Sequence, residues 1–141
     1  MNNSLTEEQV KVLNMSQSVI NEVRKVIIGK DEIIIKVLLS ILAGGHILIE
    51  DIPGVGKTTL AVALSKALSL DYKRLQFTPD VLPTDVTGFT ILNKETHKFE
   101  YKQGAALTNL FLADEINRTS SKTQSALLEV MEEGKVTVDG I

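Results

Sequence analysis

Residues 51–60, DIPGVGKTTL, combine side chains that are suited to holding phosphate groups. Gly54 and Gly56 let backbone N–H groups turn toward anionic oxygens, and Lys57 can reach terminal phosphates. The Thr58 hydroxyl is suited to ligating Mg²⁺. An apolar run precedes the segment and a helical pattern follows it, as a phosphate loop requires. The predicted nucleotide-binding residues of this loop are Pro53, Gly54, Val55, Gly56, Lys57, Thr58 and Thr59.

Asp51 stands where the usual pattern, G-x-x-x-x-G-K-[ST], has its first glycine. A carboxylate pointing inward would repel phosphate, whereas one pointing outward can hydrogen-bond the local backbone. Pro53 gives the turn rigidity in place of the freedom of a glycine. The alternative is an ordinary strand-to-helix turn, but such a turn has no need of Lys57 and Thr58 after its last glycine. The phosphate loop is therefore favoured.

An acidic pair closes a second apolar run, NLFLADE, at residues 109–115. Asp114 would end a strand at the carboxyl edge of a sheet, where it could hold Mg²⁺ through the water shell of the ion. Glu115 could polarise a water molecule for attack on a γ-phosphate. An isolated acidic pair is more often a helix cap or a solvated turn. With Lys57 lying 57 residues upstream, the two features together favour ATP hydrolysis.

Composition limits the class of protein. The 141 residues, 43% apolar and 23% charged, have the size and composition of one soluble globular domain. A net charge of -3 gives no electrostatic case for nucleic acid or an anionic membrane as the main partner. The apolar residues 33–49 include Lys36 and Gly44, which favour core elements over a membrane span. The absence of cysteine and of a signal-peptide pattern is compatible with the cytoplasm.

Hydrophobic periodicity predicts helices that alternate with short strands, which indicates an α/β fold with a parallel sheet. The first helix is expected to open with a capping box of Thr6 and Gln9 and to be stopped by Gly29. It would carry Val19, Val23, Val26 and Ile27 on one side. The further predicted helices are 31–43, 57–70 and 120–133. The predicted strands are 47–49, 73–77, 109–115 and 135–141, with a hairpin of 87–92 and 98–101. Pro79 and Pro83 indicate an open loop.

Three stretches together resemble the MoxR family of AAA+ ATPases. They are EDIPGVGKTTLA, RLQFTPDVLPTDVTG and LADEINRTSSKTQSALLEVMEEGKVTVDG, and the resemblance runs from about Val26 to Ile141. The family commonly has an acidic residue at the position of Asp51. The resemblance implies a P-loop NTPase fold, a three-layer αβα arrangement with a parallel sheet that is incomplete at the C-terminus. It also implies ATP and Mg²⁺ as cofactors.

The resemblance also assigns roles to single residues. Residues 54–58 would form the Walker A cradle, Asp114 would be the Walker B magnesium carboxylate, and Glu115 and Lys57 would be catalytic. Ile28 and Gly29 match the segment that lies against the adenine. Three further positions carry weaker expectations. Gln76 could hold the catalytic glutamate idle, Asn117 and Arg118 are as easily a helix entry as functional residues, and His46 and His97 are expected to be structural.

The resemblance implies a single AAA+ core domain with an N-terminal helical segment, 1–30, and a Walker A to Walker B core, 31–141. The chain ends 27 residues after Asp114, so the sensor strand, the arginine finger and the helical lid are expected beyond Ile141. We therefore expect part of a longer protein, which alone binds nucleotide but hydrolyses it poorly.

Three biological roles stay open. The first is a hexameric, chaperone-like remodeller, which in this family often acts on partners with von Willebrand factor A domains. The second is an AAA+ loader that acts on DNA, and the third is a nucleotide-gated binding module without turnover. The acidic charge balance favours the first.

Overall fold

The computed structural model describes residues 5–50 and 56–134, which divide into two compact units after Leu70. The described part of the first unit contains helices only, and the second unit carries every described strand. The predicted boundary at residue 30 concerns a different division of the chain and stays a prediction.

The first unit contains α1 (Glu7–Arg24), α2 (Asp31–Leu42) and α3 (Lys57–Ala67). The predicted capping box is confirmed, since the Thr6 hydroxyl accepts from the Gln9 N–H and the Gln9 side chain accepts from the Thr6 N–H. These bonds satisfy two backbone donors that a helix N-terminus otherwise leaves without partners.

The first helix ends at Arg24, earlier than predicted. The backbone N–H groups of Val26 and Ile27 both donate to the Val23 carbonyl, which closes the last turn and takes the chain out of the helix. As a result Ile27 turns back into the core while Val26 is exposed. Gly29, at φ +75°, therefore lies in the connection to α2 and does not itself end α1.

The core of the first unit is built from the facing sides of its three helices. Its buried members are Ile20, Val23, Ile27, Ile34, Val37, Leu38, Leu60 and Leu64. The predicted stripe of α3 is confirmed for Leu60 and Leu64, and Leu68 is partly buried against the same cluster. Burial of Leu60 and Leu64 sets the rotation of α3 about its axis, and so fixes which face of the helix points to the core.

The strand predicted at residues 47–49 is wrong for this structure, which has no regular secondary structure from Gly45 to Glu50. Ile47 and Leu48 are exposed. A strand needs a neighbouring strand to take up its backbone N–H and C=O groups, and the described residues of the first unit contain no other strand.

The second unit is built on a parallel pair, β1 (Tyr72–Gln76) and β4 (Leu110–Asp114). The predicted parallel pairing is confirmed, with β1 shifted by one residue and β4 half-buried along its length. Gln76 pairs with Asp114, and the next N–H group, from Phe77, donates to the Asp114 carbonyl at 2.8 Å.

The two faces of this pair differ in character, because neighbours in register share a face and successive residues alternate. One face packs on the buried side chains of Phe77, Val86 and Leu127. The opposite face carries Tyr72, Arg74, Gln76, Leu110, Leu112 and Asp114. The candidate functional side chains of β1 and β4 therefore lie on one side of this sheet.

The predicted hairpin is confirmed as β2 (Gly88–Asn93) and β3 (Lys98–Gln103). Its loop has four residues, not five, because Asn93 pairs with Lys98. The Asn93 side chain accepts from the N–H groups of Glu95 and Thr96, which is how an asparagine stabilises a tight turn without glycine. His97 lies in this loop at φ +52°.

A short helix, α4 (Pro83–Thr87), lies where an open loop was expected. Pro83 occupies its first turn, where a missing N–H costs nothing, and the Asp85 carboxylate accepts from the Leu82 N–H at 2.8 Å. Pro79 lies in a turn, as an open loop allows, whereas Pro83 marks a helix start that is stabilised by the Asp85 carboxylate.

The last described helix, α5 (Ser121–Glu133), matches its prediction, with Ser120 as its cap and Gly134 ending it in the left-handed region. The strand predicted at 135–141 lies outside the described residues. Thr123, fully buried in the first turn of α5, donates to the Val81 carbonyl at 2.8 Å. This bond ties α5 to the segment that precedes α4.

Substituting Thr123 by Val should lower the free energy of unfolding by about 1–3 kcal/mol, because the shape is kept while a part-buried carbonyl loses a close donor from a buried side chain. Thr119→Val is the matched control, since Thr119 donates to the same carbonyl at the longer distance of 3.4 Å. Urea unfolding of both variants gives the comparison. Equal losses would show that the Thr123 hydroxyl does not carry this connection.

Candidate functional site

The glycine-lysine-threonine part of the predicted phosphate loop forms the start of α3. Gly56 is the N-cap residue at φ +86°, a region that favours glycine, and Lys57 and Thr58 begin the helix half-buried, followed by an exposed Thr59. Among the described residues, no side chain caps this terminus. Its first N–H groups and its positive dipole end are therefore suited to an anion. Asp51 and residues 53–55 lie outside the described residues.

A pocket of the first unit lies beside this helix start. It is lined by Ile27, Lys30, Ile33, Ile49, Gly56, Lys57 and Leu60. The lining is apolar except for its two lysines, so apolar contacts and positive charge lie side by side at this helix start. Hydrophobic periodicity predicts Ile27 and Leu60 only as core residues. Nothing in the sequence around Lys30, which lies between two helices, indicates a pocket.

The residues on either side of the segment that is predicted to lie against adenine line this pocket. Ile27 and Lys30 line the pocket, whereas Ile28 is 86% exposed and Gly29 forms the bend between them. The assignment of Ile28 and Gly29 to adenine binding stays a prediction.

In the second unit, Asp114 is the last residue of β4, as the sequence predicted. Its Oδ2 accepts from an Nη atom of Arg74 at 2.6 Å, and the two side chains are 20% and 40% exposed. The hydrogen bond to Asp114 is the main reason that the pKa of Arg74 is raised above its ordinary value. Arg74 was missed at the sequence level, although its place two residues before Gln76 puts it on the face of Asp114.

Glu115 leaves the strand in the left-handed region, at φ +55°, and begins a short 3₁₀ helix, Ile116–Arg118. Its Oε2 accepts from Arg118 at 2.6 Å. Arg118 thus contacts the predicted catalytic glutamate as well as forming the helix entry, and Asn117 lies between the two. Gln76 lies beside Asp114 in the ladder, but within the described residues its side chain has no hydrogen bond to Glu115.

Tyr72 is the fourth polar side chain on this sheet face, beside Arg74, Gln76 and Asp114. Burial raises the pKa of its phenol, and its hydroxyl is the one buried side-chain polar atom in the described ranges that has no hydrogen-bond partner. The hydroxyl therefore belongs to the environment of Arg74 and Asp114, both of which act electrostatically on it.

The oxygen donors present suit Mg²⁺ better than they suit a metal ion that is coordinated by protein side chains alone. Within residues 5–50 and 56–134, no group of three or more His, Cys, Asp or Glu side chains could enclose an ion. Mg²⁺ is usually held by one or two carboxylates together with waters and substrate phosphates, and Asp114 and Thr58 are oxygen donors of the required kind. The described helices also include none with the length and apolarity to cross a membrane.

Comparison with known proteins gives a consistent assignment. A family model for the ATPase family associated with various cellular activities (AAA) matches residues 46–141. The chain is 58% identical over 121 residues to the uncharacterized protein YeaC of Bacillus subtilis, across 86% of this chain and 38% of YeaC. It is 41% identical over 119 residues to the chaperone MoxR1 of Mycobacterium tuberculosis, across 84% of this chain and 32% of MoxR1.

One solved structure is similar along nearly the whole chain. It is a candidate ATPase from Cytophaga hutchinsonii, with a TM-score of 0.77 and 42% sequence identity, and the match covers 96% of this chain and 43% of that one. The chain spans about a third of the length of the curated relatives it matches.

The two ion pairs of the second unit can be ranked by a double-mutant cycle. The Arg74–Asp114 pair should show the larger coupling energy, because the Arg118 and Glu115 side chains are 53% and 42% exposed and solvent screens them more. Urea unfolding of Arg74→Gln, Asp114→Asn and the double variant, and of the corresponding Arg118 and Glu115 set, gives both values. A larger coupling for Arg118–Glu115 would contradict this ranking.

Proposed function

This chain belongs to the MoxR-type AAA+ ATPases, and from that premise we propose that it binds ATP with Mg²⁺ and hydrolyses the γ-phosphate bond. The observation that carries the proposal is the start of α3, which no side chain of the described residues caps and where Gly56 and Lys57 border a mainly apolar pocket. A nucleotide combines an apolar base with an anionic phosphate chain, and these residues offer a match for both. The chain spans only part of its relatives' length, so the activity of a longer protein that contains it is likewise a proposal.

Each residue of the predicted site receives one task. Ile28 and Gly29, with the neighbouring Ile27 and Lys30, receive the adenine. The loop from Pro53 to Thr59 holds the phosphates. Lys57 neutralises the terminal phosphates, Thr58 and Asp114 hold Mg²⁺, and Glu115 aligns water for in-line attack.

Glu115 can act as the base only after it gives up its present contact. Its Oε2 atom accepts a hydrogen bond from Arg118, and an oxygen atom held by the guanidinium is not available to align a water molecule. Arg118 is therefore proposed to hold Glu115 idle, a task that the sequence suggested for Gln76. When bound, Mg²⁺ would neutralise charge that develops on the phosphate oxygens.

We further propose that the activity serves chaperone-like remodelling of partner proteins by a cytoplasmic hexamer. The relative MoxR1 is named a chaperone, and 41% identity makes it a useful guide. Proteins with von Willebrand factor A domains are the partner class that the family resemblance suggests. A DNA-directed loader and a binding module without turnover are the alternatives that the following tests separate.

Lys57→Ala should weaken ATP binding about tenfold to a hundredfold, because one charge-assisted contact to phosphate is lost. Isothermal calorimetry with ATP and Mg²⁺ measures the change. Lys66→Ala is the matched control, since Lys66 lies exposed in the last turn of the same helix. If Lys66→Ala weakens binding as much as Lys57→Ala, the phosphate-loop assignment is wrong.

Glu115→Gln should lower kcat for ATP hydrolysis by about 10²-fold or more while ATP affinity stays within about twofold, because only the alignment of water is lost. Glu129→Gln, an exposed change on α5, is the control. The assay uses a protein of the length of the curated relatives, of which this chain spans about a third. Its rate per subunit should rise with protein concentration if neighbouring subunits complete the site, whereas ATP binding without turnover at any concentration would favour the binding module. Salt-sensitive stimulation by DNA would favour the loader.

A further inference from the structure

Asp114 has a cation partner that the proposed mechanism does not use. The Arg74 guanidinium lies 2.6 Å from Asp114 Oδ2, and this contact follows from the ladder, which pairs Gln76 with Asp114 and places Arg74 two residues earlier on the same face. Both backbones are held by the parallel pairing. The backbone position from which the guanidinium reaches the end of β4 is therefore fixed.

The two arginines of the site are divided between its two acids. Arg74 contacts Asp114, and Arg118 contacts Glu115. The Arg118 pair is local, three residues apart, whereas the Arg74 pair joins residues 40 positions apart. The environment of the proposed metal carboxylate is therefore set by Arg74 and not by Arg118.

A guanidinium and Mg²⁺ cannot share this carboxylate without cost. Both are cations that seek the same oxygen atoms, and like charges repel strongly at contact distances when water is partly excluded. Asp114 is the least exposed of the four charged side chains, so solvent screens that repulsion less at Asp114 than at Glu115.

We propose that Arg74 is a positioning residue that competes with Mg²⁺ for Asp114, so that metal loading requires the guanidinium to leave the carboxylate. The inference rests on the proposed nucleotide function. Arg74 keeps the bare carboxylate of Asp114 from repelling phosphate, and it sets the Mg²⁺ concentration at which the site becomes complete. Loss of the Arg74 charge should therefore strengthen nucleotide binding at low Mg²⁺ concentration and weaken it in EDTA.

The test is calorimetry with ADP, which is not hydrolysed in the assay, across a series of Mg²⁺ concentrations and in EDTA. In Arg74→Gln, the half-saturating Mg²⁺ concentration for ADP binding should fall about tenfold, because the competing cation is gone. ADP binding in EDTA should weaken severalfold, because Asp114 then faces phosphate unneutralised. Arg74→Lys, which keeps the charge but loses the planar fork, should lie between the parent and Arg74→Gln.

Arg118→Gln is the matched control, since it removes the same charge from the neighbouring acid. It should shift the half-saturating Mg²⁺ concentration less than threefold. Equal shifts for Arg74→Gln and Arg118→Gln, an unchanged value in Arg74→Gln, or a higher one would overturn the proposal. Should Arg74→Gln fail to fold, a parent-like value in Arg74→Lys has the same effect. Absence of ADP binding by the parent would instead count against the proposed function.

Discussion

The parallel ladder between β1 and β4 is the constraint on which the chemistry of the second unit depends. Its register pairs Gln76 with Asp114 and puts Arg74 on the same face. A shift of one residue would turn Arg74 toward the side that packs on Phe77 and Val86, where an unpaired charge is costly. The core on one side therefore determines which charges meet on the other.

Charge compensation connects the two acids to their surroundings. Asp114 and Glu115 each accept from a different arginine, and both pairs are too exposed to contribute much to stability. Their functional importance is that each keeps a carboxylate from other partners. A carboxylate oxygen that already contacts a guanidinium is not available to a metal ion or a water molecule, so each arginine sets a condition for the proposed reaction. The start of α3 has the opposite character, since among the described residues no side chain caps it.

Much of the second unit could be predicted from sequence because its signals are local. The capping serine and the closing glycine bound α5, and alternating residues around a polar turn gave the hairpin. The strand end at Asp114 and the helix start at Lys57 could likewise be inferred, because an apolar run closed by an acid and a glycine-lysine-threonine turn before a helical pattern are informative when they occur together. Their assignment to one bound nucleotide stays a proposal.

What the sequence could not supply depends on distant partners. Residues 47–49 have the composition of a buried strand, but strand formation requires a neighbour, and the described first unit has none. The contact of Arg74 with Asp114 joins positions 40 apart, so only the ladder reveals it. The early end of α1 follows from two N–H groups that converge on the Val23 carbonyl, a closure that periodicity does not encode.

The central claim is that the phosphate loop around Lys57 and the carboxylate of Asp114 serve one metal-bound nucleotide. The most direct measurement is the gain in ADP affinity that Mg²⁺ produces, compared between the parent and Asp114→Asn. The account predicts that Mg²⁺ tightens binding in the parent and that this gain is lost in Asp114→Asn, while the binding measured in EDTA persists. An undiminished gain in Asp114→Asn would contradict it.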